Sequence, residues 1–459
     1  MPPLLATIVF FVGIIGLFIL EGKKESKSSP ALWIPVIWTF IGASREVSLW
    51  FGGGAGSAQE AYADGSPLDR ALYMGLMVAS VVVLLQRGQQ TGAFFRVNGP
   101  ILAFFIYGLI SVLWSDFPLV ALKRLIKAFG NVLMVLVVLT DPDRPMAIKR
   151  FLAYTAFLVI PLSVLLVKYY PELGRGYSGW TGAVEYMGVS TGKNALGWDC
   201  LVFGLATLWR VLEEFKERKK GWLKGPIMAH GVVLGMALWL LSISSSAAAM
   251  GNFAIGTCVM ILCTMRWFRM KPFLVHTVVV GIIAICVFGI VIDTDVGLVQ
   301  AAGKDSSLTD RTYLWHDLLQ MDINPLFGTG FESFWLGTRL ELIWEKFTFR
   351  PNQAHNGYIE TYLTLGWVGL VFLGWKILWG YKNAVGALHG EQILGKLKVP
   401  IVVATVILNL TEATFKVVHP VWIVFLLMVM MVPNVPAQRQ RPKPLQPFPA
   451  ESYSRLGRP

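Results

Sequence analysis

Long apolar stretches recur along almost the whole chain, and they limit its fold more than any other feature of the sequence. A helix needs roughly 20 apolar residues to cross the hydrocarbon core of a bilayer, which is about 30 Å thick. Thirteen segments of the chain approach that requirement. They are 3–20, 31–50, 71–86, 98–114, 120–140, 151–167, 195–211, 226–243, 247–264, 273–292, 357–379, 398–414 and 419–433. Twelve spans is the alternative count, because Arg45 and Glu46 interrupt 31–50 and because 398–433 has the form of one re-entrant pair.

The composition supports a membrane protein and argues against the main soluble classes. Hydrophobic residues make up 55% of the chain and charged residues 15%, whereas soluble domains carry about 25% charged residues. We therefore predict an all-α polytopic membrane protein with about 12–13 transmembrane helices, because backbone groups in lipid must be hydrogen-bonded within their own helix. The four cysteines lie inside apolar stretches without a CxxC pair, so the sequence does not support a disulfide framework.

The distribution of lysine and arginine predicts the orientation of the chain in the membrane. The connections on one side of the thirteen spans, together with the C-terminal tail, hold 25 of the 40 basic residues. This side is assigned to the cytoplasm, which places the N-terminus outside. The same asymmetry accounts for the net charge of +12 without a nucleic-acid partner.

The predicted domain organisation is simple. Residues 1–433 form one membrane domain, and 434–459 is a Pro-rich basic tail with the composition of a disordered cytoplasmic extension. Two outer segments, 168–194 and 293–356, are too long for simple turns, and loops of that length commonly carry function. The second is 64 residues long and has five basic against nine acidic residues, so its charge is opposite to that of the whole chain.

Sequence motifs of several protein classes are absent. The chain contains no Walker motif, no GxGxxG before a helix, no HExxH and no GxSxG. ATP-driven transport, dinucleotide binding and zinc proteolysis therefore have no support in the sequence. What remains is a set of polar residues at the predicted outer face of the membrane.

Arg311 is the first candidate for a functional residue. Residues 308–319 have the apolar spacing of a helix with Thr309 or Asp310 as its cap, which places Arg311 in the first turn. An arginine beside a helix N-terminus suits a phosphate group. A pair with Asp310 or Asp317 on a solvated face is the alternative.

His355 is the second candidate, followed by Asn356 at the head of the span 357–379. A histidine at a membrane mouth is able to act as a general base near neutral pH. The alternative is a hydrogen-bonded residue that caps the helix.

Further polar residues stand at the predicted outer ends of other spans. Lys193 and Asn194 precede 195–211, where the lysine either holds a phosphate or extends to the lipid interface. Lys123 and Arg124 enter their span against the orientation rule, and such charges usually have partners or ligands. Glu412 is an acid near an outer span end, and a pair with one of these bases is its simplest role. Together they predict an outward-facing basic pocket at the lipid boundary, which fits a lipid-linked diphosphate.

Seven short motifs follow one another along the chain. They are Ser111-Val112-Leu113-Trp114-Ser115-Asp116 with Pro118 and Lys123-Arg124, Gly192-Lys193-Asn194 with Leu196-Gly197, Leu308-Thr309-Asp310-Arg311 with Trp315, Pro325-Leu326 with Gly328 and Gly330, His355-Asn356-Gly357-Tyr358, Leu365-Gly366 with Gly369-Leu370, and Asn409-Leu410-Thr411-Glu412. In this order they resemble the O-antigen ligase and Wzy-type polymerase family, especially its exopolysaccharide-production polymerase branch. The resemblance covers about residues 31–433 and includes the long outer loop.

The resemblance implies a GT-C-like membrane glycosyltransferase of the bacterial inner membrane with its active site facing the periplasm. Such enzymes move a glycan from undecaprenyl diphosphate to an acceptor sugar, without a metal or other cofactor. By position, His355 matches the histidine proposed to activate the acceptor hydroxyl, and Arg311 matches the arginine proposed to hold the donor diphosphate. The implied partners are the lipid-linked donor, a glycan or lipid A core acceptor, the bilayer, a flippase and a chain-length regulator.

The chain departs from the family pattern at one point. Ligases of the family carry an arginine in a Ser-x-Ser-Arg turn, whereas residues 242–247 contain no basic residue. Lys193 is the predicted substitute for this second diphosphate contact. Lys123 and Arg124 would then shape the donor entrance, and the departure favours a polymerase over a lipid A core ligase.

The predicted function is therefore polymerisation of exopolysaccharide or O-antigen repeat units. His355 would be the base, and Asn356, Asn194 and Glu412 would support the site. The nearest alternative is a ligase that moves finished polymer to lipid A core or protein. A secondary anion transporter is the rival of another class, although the polar residues lie at one face and no two halves repeat. A structural assembly protein is the remaining alternative.

Overall fold

The computed structural model describes residues 1–22, 28–52, 65–177, 182–216, 225–296, 307–390 and 392–433. The predicted C-terminal tail, 434–459, lies outside the described residues. The helices, numbered in chain order, are α1 (Pro3–Glu21), α2 (Trp33–Ala43), α3 (Val47–Trp50), α4 (Pro67–Gln86), α5 (Gly88–Val97), α6 (Gly99–Ile110), α7 (Pro118–Leu139), α8 (Arg144–Tyr169), α9 (Pro171–Gly174), α10 (Lys193–Lys216), α11 (Gly225–Ile243), α12 (Ala247–Thr264), α13 (Arg266–Arg269), α14 (Pro272–Val296), α15 (Ser307–Leu319), α16 (Gly337–Lys346), α17 (Gly357–His389), α18 (Gln392–Leu408) and α19 (Pro420–Val429). Short 3-10 turns cover Pro30–Leu32 and Ser111–Trp114, and the strands β1 (Arg175–Tyr177) and β2 (Val184–Tyr186) form an antiparallel hairpin.

The protein is an all-α polytopic membrane protein, as the sequence predicts. Among the described residues, eight helices are long and apolar enough to cross a membrane, namely α1, α4, α8, α10, α11, α12, α14 and α17. A ninth crossing is formed if the bent pair Gly88–Val97 and Gly99–Trp114, with 84° between its arms, counts as one span.

The helix count is lower than the predicted 12–13, although every predicted span overlaps a helix. The helix α7 is 22 residues long, but Lys123, Arg124 and Lys127 lie in its first ten residues. The span predicted at 31–50 is divided between α2 and α3, on either side of Arg45. The helices α18 and α19 are only 17 and ten residues long. Charge and length, rather than lack of helix, therefore account for the difference.

The position of each helix in the bundle follows from its exposure. All ten residues of α19 are buried, which makes this short apolar helix a central element. In contrast, only 11% of the apolar window of α1 and of α14 is buried, so these two helices present most of their side chains outward. Apolar residues on the outside of such a bundle are expected to face lipid.

Arg45 connects the bundle to the first outer segment. Its guanidinium donates to the carbonyl oxygens of Leu173 and Gly188, and its Nε donates to the carbonyl of Ser190 at 3.3 Å. The interruption that Arg45 makes in the predicted span is therefore a fixed junction. It holds the segment that contains the β-hairpin against the end of α2.

A break in α17 fixes the second outer segment. Gly366 lies inside this helix with φ 65° and ψ −165°, and a Cβ there would lie 2.3 Å from the Leu326 carbonyl. Backbone groups freed by the break are paired with residues 325–330. The bonds run from Trp367 N–H to Pro325 O (2.9 Å), Val368 N–H to Leu326 O (3.2 Å), Thr329 N–H to Leu363 O (3.1 Å) and Gly330 N–H to Thr364 O (2.9 Å). Two motifs that the sequence could only place in order are thus in direct contact, and each satisfies backbone groups of the other.

Candidate functional site

The predicted helix in the second outer segment is present as α15, from Ser307 to Leu319. Leu314 and Leu318 are fully buried in a small apolar cluster with residues of the following loop. Trp315, on the same helix, donates its indole N–H to the carbonyl of Ala354 at 2.7 Å. This bond ties the helix that carries Arg311 to the turn that carries His355.

In the turn before α17, the residue that caps the helix is Asn356 and not His355. Asn356 caps the helix, since its Oδ1 accepts from the N–H groups of Tyr358 (3.0 Å) and Ile359 (3.1 Å). Its Nδ2 donates to the carbonyl of Leu410 at 2.9 Å, which joins the turn to the loop after α18. His355 itself has φ 50°, a left-handed conformation that is uncommon for a residue other than glycine. The helix cap proposed as the alternative role of His355 is therefore supplied by its neighbour.

Three predicted site residues converge on the side chain of Glu412. Its Oε1 lies 3.0 Å from Arg311 Nη2 and 3.3 Å from Asn194 Nδ2. Its Oε2 lies 3.5 Å from His355 Nδ1. The carboxylate is 1% exposed, whereas Arg311 and His355 retain 16% and 24% exposure. Glu412 therefore links residues from α10, α15, the turn before α17 and the loop after α18.

Arg311 is held by two groups of the loop after α18. Besides Glu412, its Nη1 donates to the carbonyl of Thr411. The alternative partner Asp317 instead pairs with Lys346 at 2.6 Å. The side chain of Asp310, the other alternative, lies outside the described residues. Arg311 is thus directed toward the predicted site rather than toward a solvated pair on its own helix.

Lys193 and Asn194 begin α10, but their side chains take different partners. Asn194 reaches Glu412, whereas Lys193 Nζ lies 3.0 Å from Glu185 Oε1 on β2. The lysine is 37% exposed and pairs across to the hairpin. The predicted role of Lys193 as a second phosphate contact would require it to leave this carboxylate.

The two basic residues at the start of α7 lie beside a different part of the second outer segment. Arg124 Nη1 donates to the backbone carbonyl of Glu332, and Lys123 is exposed in the same turn of the helix. Arg339 of α16 pairs with Asp116 close by, at 2.6 Å. These contacts join the start of α7 to the segment that follows the 325–330 loop.

Glu360 is a site residue that sequence reasoning missed. Its Oε1 accepts from Trp335 Nε1 at 2.7 Å, and its Oε2 accepts from the backbone N–H of Ala354 at 2.8 Å. The carboxylate therefore fixes the residue directly before His355. The only sequence signal for Glu360 was its position in the first turn of a predicted helix. Acidic residues are common there because they stabilise the helix N-terminus, so the position does not indicate function.

A metal site is not evident in the described part of the chain, where no group of three or more His, Cys, Asp or Glu side chains is arranged to hold an ion. The expectation of a metal-independent reaction stays a prediction. The orientation in the membrane likewise stays a prediction.

Comparison with known proteins supports the resemblance drawn from the motifs. Residues 230–374 match the family model described as O-antigen ligase. The chain is also 28% identical over 303 residues to the exopolysaccharide production protein ExoQ of Rhizobium meliloti (strain 1021), an alignment that covers 64% of this chain and 66% of the relative. The chain thus spans slightly less than two thirds of that relative.

The matched family region includes Arg311, His355, Glu360 and both halves of the contact between residues 325–330 and the break in α17. Lys193, Asn194 and Glu412 lie outside it, so the family match and the geometry of the cluster are separate observations. Together with the similarity to an exopolysaccharide production protein, the match confirms that this multi-pass membrane protein resembles the O-antigen ligase and Wzy-type polymerase family.

Proposed function

We propose that this protein is a membrane glycosyltransferase that moves glycan from undecaprenyl diphosphate to an acceptor sugar at the periplasmic face of the inner membrane. The reaction would polymerise exopolysaccharide or O-antigen repeat units. The observation that carries the proposal is the convergence of Arg311 and His355 on Glu412. A cation suited to a phosphate and a base suited to a hydroxyl are thereby held within reach of one buried carboxylate.

His355 is the proposed general base. Its Nδ1 faces Glu412 Oε2 at 3.5 Å, with the side chain of Gln353 3.4 Å away. If Nδ1 carries the proton and donates a hydrogen bond to the carboxylate, Nε2 is unprotonated, because a neutral imidazole carries only one N–H. Within the described residues Nε2 has no hydrogen-bond partner, which leaves it available to a substrate hydroxyl. Glu412 is thus a positioning residue for the base.

The proposed reaction balances without a co-reactant. His355 Nε2 takes the proton of the acceptor hydroxyl while the hydroxyl oxygen forms a bond to C1 of the donor sugar. The bond from C1 to the diphosphate oxygen breaks, and the electron pair leaves with the diphosphate. The family resemblance implies inversion at C1. The base contributes about 100- to 10,000-fold to such a rate in comparable enzymes.

Arg311 is the proposed contact for the leaving diphosphate. A guanidinium binds phosphate oxygens in a bidentate manner, and the interaction strengthens as the leaving group gains charge. Glu412 and the Thr411 carbonyl hold the side chain at one place before donor binds. Lys193 would provide a second contact after leaving Glu185, and Lys123 with Arg124 would line the donor entrance. Two cations near the diphosphate are consistent with a reaction that needs no metal or other cofactor.

The rival functions make different demands on the same structure. A secondary transporter uses broken helices to open a binding site near the midplane. The break in α17 is instead filled by residues 325–330, which pair with its freed backbone groups. A ligase that moves finished polymer to lipid A core or protein would use the same donor chemistry as a polymerase. Its acceptor, rather than the Glu412 cluster, would distinguish it.

A complementation experiment tests the proposal. The gene is deleted and restored as wild type, His355→Ala, Arg311→Ala or, as a matched control, His316→Ala, whose exposed imidazole contacts Gln320. Cell-surface and lipid-linked glycans are then separated by size. We expect loss of long chains and accumulation of single lipid-linked repeats with the first two variants only.

The other outcomes of that experiment are equally informative. Long chains retained on the lipid carrier would favour the ligase. Unchanged glycans in the deletion strain would contradict both enzymatic functions and favour transport. Normal glycans with both site variants, but not in the deletion strain, would leave an enzyme whose site lies elsewhere.

A further inference from the structure

Lys376 is a buried basic residue that takes no part in the function proposed so far. It lies on α17 beyond the break at Gly366 and is 0% exposed. In the part of the chain that the structure describes, its ammonium has neither a hydrogen-bond acceptor nor an ion pair. The ammonium nitrogen instead lies 3.4 Å from the ring centroid of Phe104 on α6 and 4.2 Å from that of Trp422 on α19. The faces of two aromatic rings are therefore its partners.

A charge in this position is costly and is not required for packing. Ionisable side chains inside a membrane protein are rare and usually serve its function. Aromatic faces attract an ammonium, but they replace its lost hydration only in part. A methionine at the same position would fill a similar volume and would also contact both rings favourably, without a charge to bury. The charge of Lys376, rather than its size, is therefore the property that needs an explanation.

A series of aromatic contacts leads from Lys376 to the candidate site. The ring of Trp422 lies 5.1 Å from the ring of Phe415, in the loop after α18. Phe415 in turn packs edge-on against Tyr358 at the start of α17, with 5.8 Å between ring centroids. A Cβ on Gly357 would lie 3.0 Å from the Phe415 ring, so this ring has little room to move toward the helix. The cation thus contacts the first ring of a packed series that ends at the start of the helix after the proposed base.

The loop after α18 also carries the central residue of the site. Glu412 precedes Phe415 by three positions, and its backbone carbonyl accepts from the N–H of Gly357 at 3.0 Å. The loop and the turn before α17 are therefore one packed unit, which Phe415 joins to α19. Close-packed interiors transmit small displacements. A shift of Trp422 would move Phe415 and change the distance of 3.5 Å between Glu412 and His355.

We propose that Lys376 is a positioning residue for the transfer reaction. Its charge holds Trp422 against α17 and, through Phe415, keeps the carboxylate of Glu412 at the centre of the candidate site. This inference rests on the proposed function, and Lys376 itself touches no substrate and takes no proton. The alternative is that the same contacts only join α6, α17 and α19, in which case Lys376 would contribute to stability and not to the rate.

The test uses the full-length protein in proteoliposomes. The donor is lipid-linked repeat unit extracted from the deletion strain, and the acceptor is the same oligosaccharide after removal of its lipid. Wild type is compared with Lys376→Met, Lys376→Arg, Phe415→Leu and the double variant that combines Lys376→Met with Phe415→Leu. Lys382→Met, which removes an exposed lysine from the same helix, is the matched control. The kcat, the KM of each substrate and the Tm are measured for every protein.

We expect Lys376→Met to lower kcat about tenfold, an effect of the size that residues coupled to a site through packing have, with both KM values unchanged. Its Tm should equal or exceed that of wild type, because a buried charge without a counter-ion is removed. Lys376→Arg keeps a cation beside the two rings and should retain most of the wild-type kcat. Phe415→Leu should lower kcat to a similar extent. The double variant should lose no more than the larger single loss, since both changes act on one series of contacts.

Several results would overturn the inference. A wild-type kcat in either Lys376→Met or Phe415→Leu would do so, and the second variant decides the matter should the first fail to fold. A lower Tm with an unchanged kcat per folded molecule would leave Lys376 with the structural role alone. Multiplied losses in the double variant would show that the two residues act independently. A loss with Lys376→Arg as large as that with Lys376→Met would remove the role of the charge. Absence of transfer by wild type would instead contradict the proposed function.

Discussion

Two clusters, each of one arginine, one glutamate and one histidine, lie near opposite ends of α10 in different surroundings. At its start, Asn194 contacts the cluster of Glu412, Arg311 and His355. Near its other end, Arg210 lies 3.1 Å from Glu21, whose second oxygen lies 3.1 Å from His230. Arg210 follows Asn194 by 16 positions along the helix, a rise of about 24 Å.

Exposure distinguishes the two clusters. Arg210, Glu21 and His230 are 3%, 2% and 1% exposed, whereas Arg311 and His355 are 16% and 24% exposed. The inner cluster joins α1, α10 and α11 and is closed to a substrate. The outer cluster has the same chemistry but an opening. A carboxylate that holds an arginine and a histidine is therefore a structural clamp in one place and a candidate active site in the other.

The largest expected effect separates the two histidines by activity. His355→Ala should lower the transfer rate by about 100- to 10,000-fold, because the general base is lost. His230→Ala should leave the rate per folded molecule close to that of wild type. Initial rates in proteoliposomes, normalised to folded protein, measure both. Equal losses in the two variants would remove the distinction between the clusters.

The second effect concerns stability. Arg210→Ala removes a buried cation that contacts both Glu21 and Glu214, and breaking such a buried pair costs about 3–5 kcal/mol. We expect a large fall in the free energy of unfolding in detergent, measured by denaturant titration. Arg311→Ala is the matched comparison and should lose less, since its site is open to water. A smaller loss of unfolding free energy for Arg210→Ala than for Arg311→Ala would contradict the structural role of the inner cluster.

The third effect tests how the outer segment is fixed. Gly366→Ala would place a Cβ 2.3 Å from the Leu326 carbonyl at φ 65°, so the contact with residues 325–330 must shift. We expect a loss of about 1–3 kcal/mol in stability and a fall in activity. Gly374→Ala, at a position in the same helix with open space around it, should change neither. Limited proteolysis of the outer segment provides a second measurement, and equal protection in both variants would contradict this role of the break.

The smallest effect is expected at Lys193. Lys193→Gln should raise the donor KM about fivefold and leave kcat unchanged, because the lysine is 37% exposed and such pairs contribute about 1 kcal/mol or less. Donor titrations in proteoliposomes measure this. Glu185→Gln should lower the donor KM slightly, since it frees the lysine. A lower kcat with an unchanged KM would assign Lys193 a different role.

Local patterns were sufficient to predict the helices and two of the site residues. Apolar periodicity placed α15, and the polar turn before a long apolar span placed His355 and Asn356 at the start of α17. Two helices lie within residues 398–433 as predicted, but the loop between α18 and α19 carries the most connected residue of the candidate site. That Glu412 would meet Arg311, 101 positions earlier, depends on tertiary packing and has no local signal.

The differences from prediction have similar causes. Lys193 turns to Glu185 because a β-hairpin forms in the first outer segment, and no alternation of residues indicated it. The basic residues of α7 lower its hydropathy, and two of them contact protein groups: Arg124 donates to the Glu332 carbonyl and Lys127 lies 3.8 Å from Glu46. Glu360 was missed because a single charged residue in the first turn of a helix is usually solvated.

The most direct test of the central claim compares Glu412→Gln with Glu21→Gln in one preparation. Both changes neutralise a buried carboxylate that contacts an arginine and a histidine. The transfer rate in proteoliposomes and the melting temperature are measured for each variant. We predict that the Glu412→Gln variant loses most of its activity with a small change in Tm. The Glu21→Gln variant should have a lower Tm, while its folded fraction stays active. A Glu412→Gln variant with the wild-type rate would contradict the account of this site.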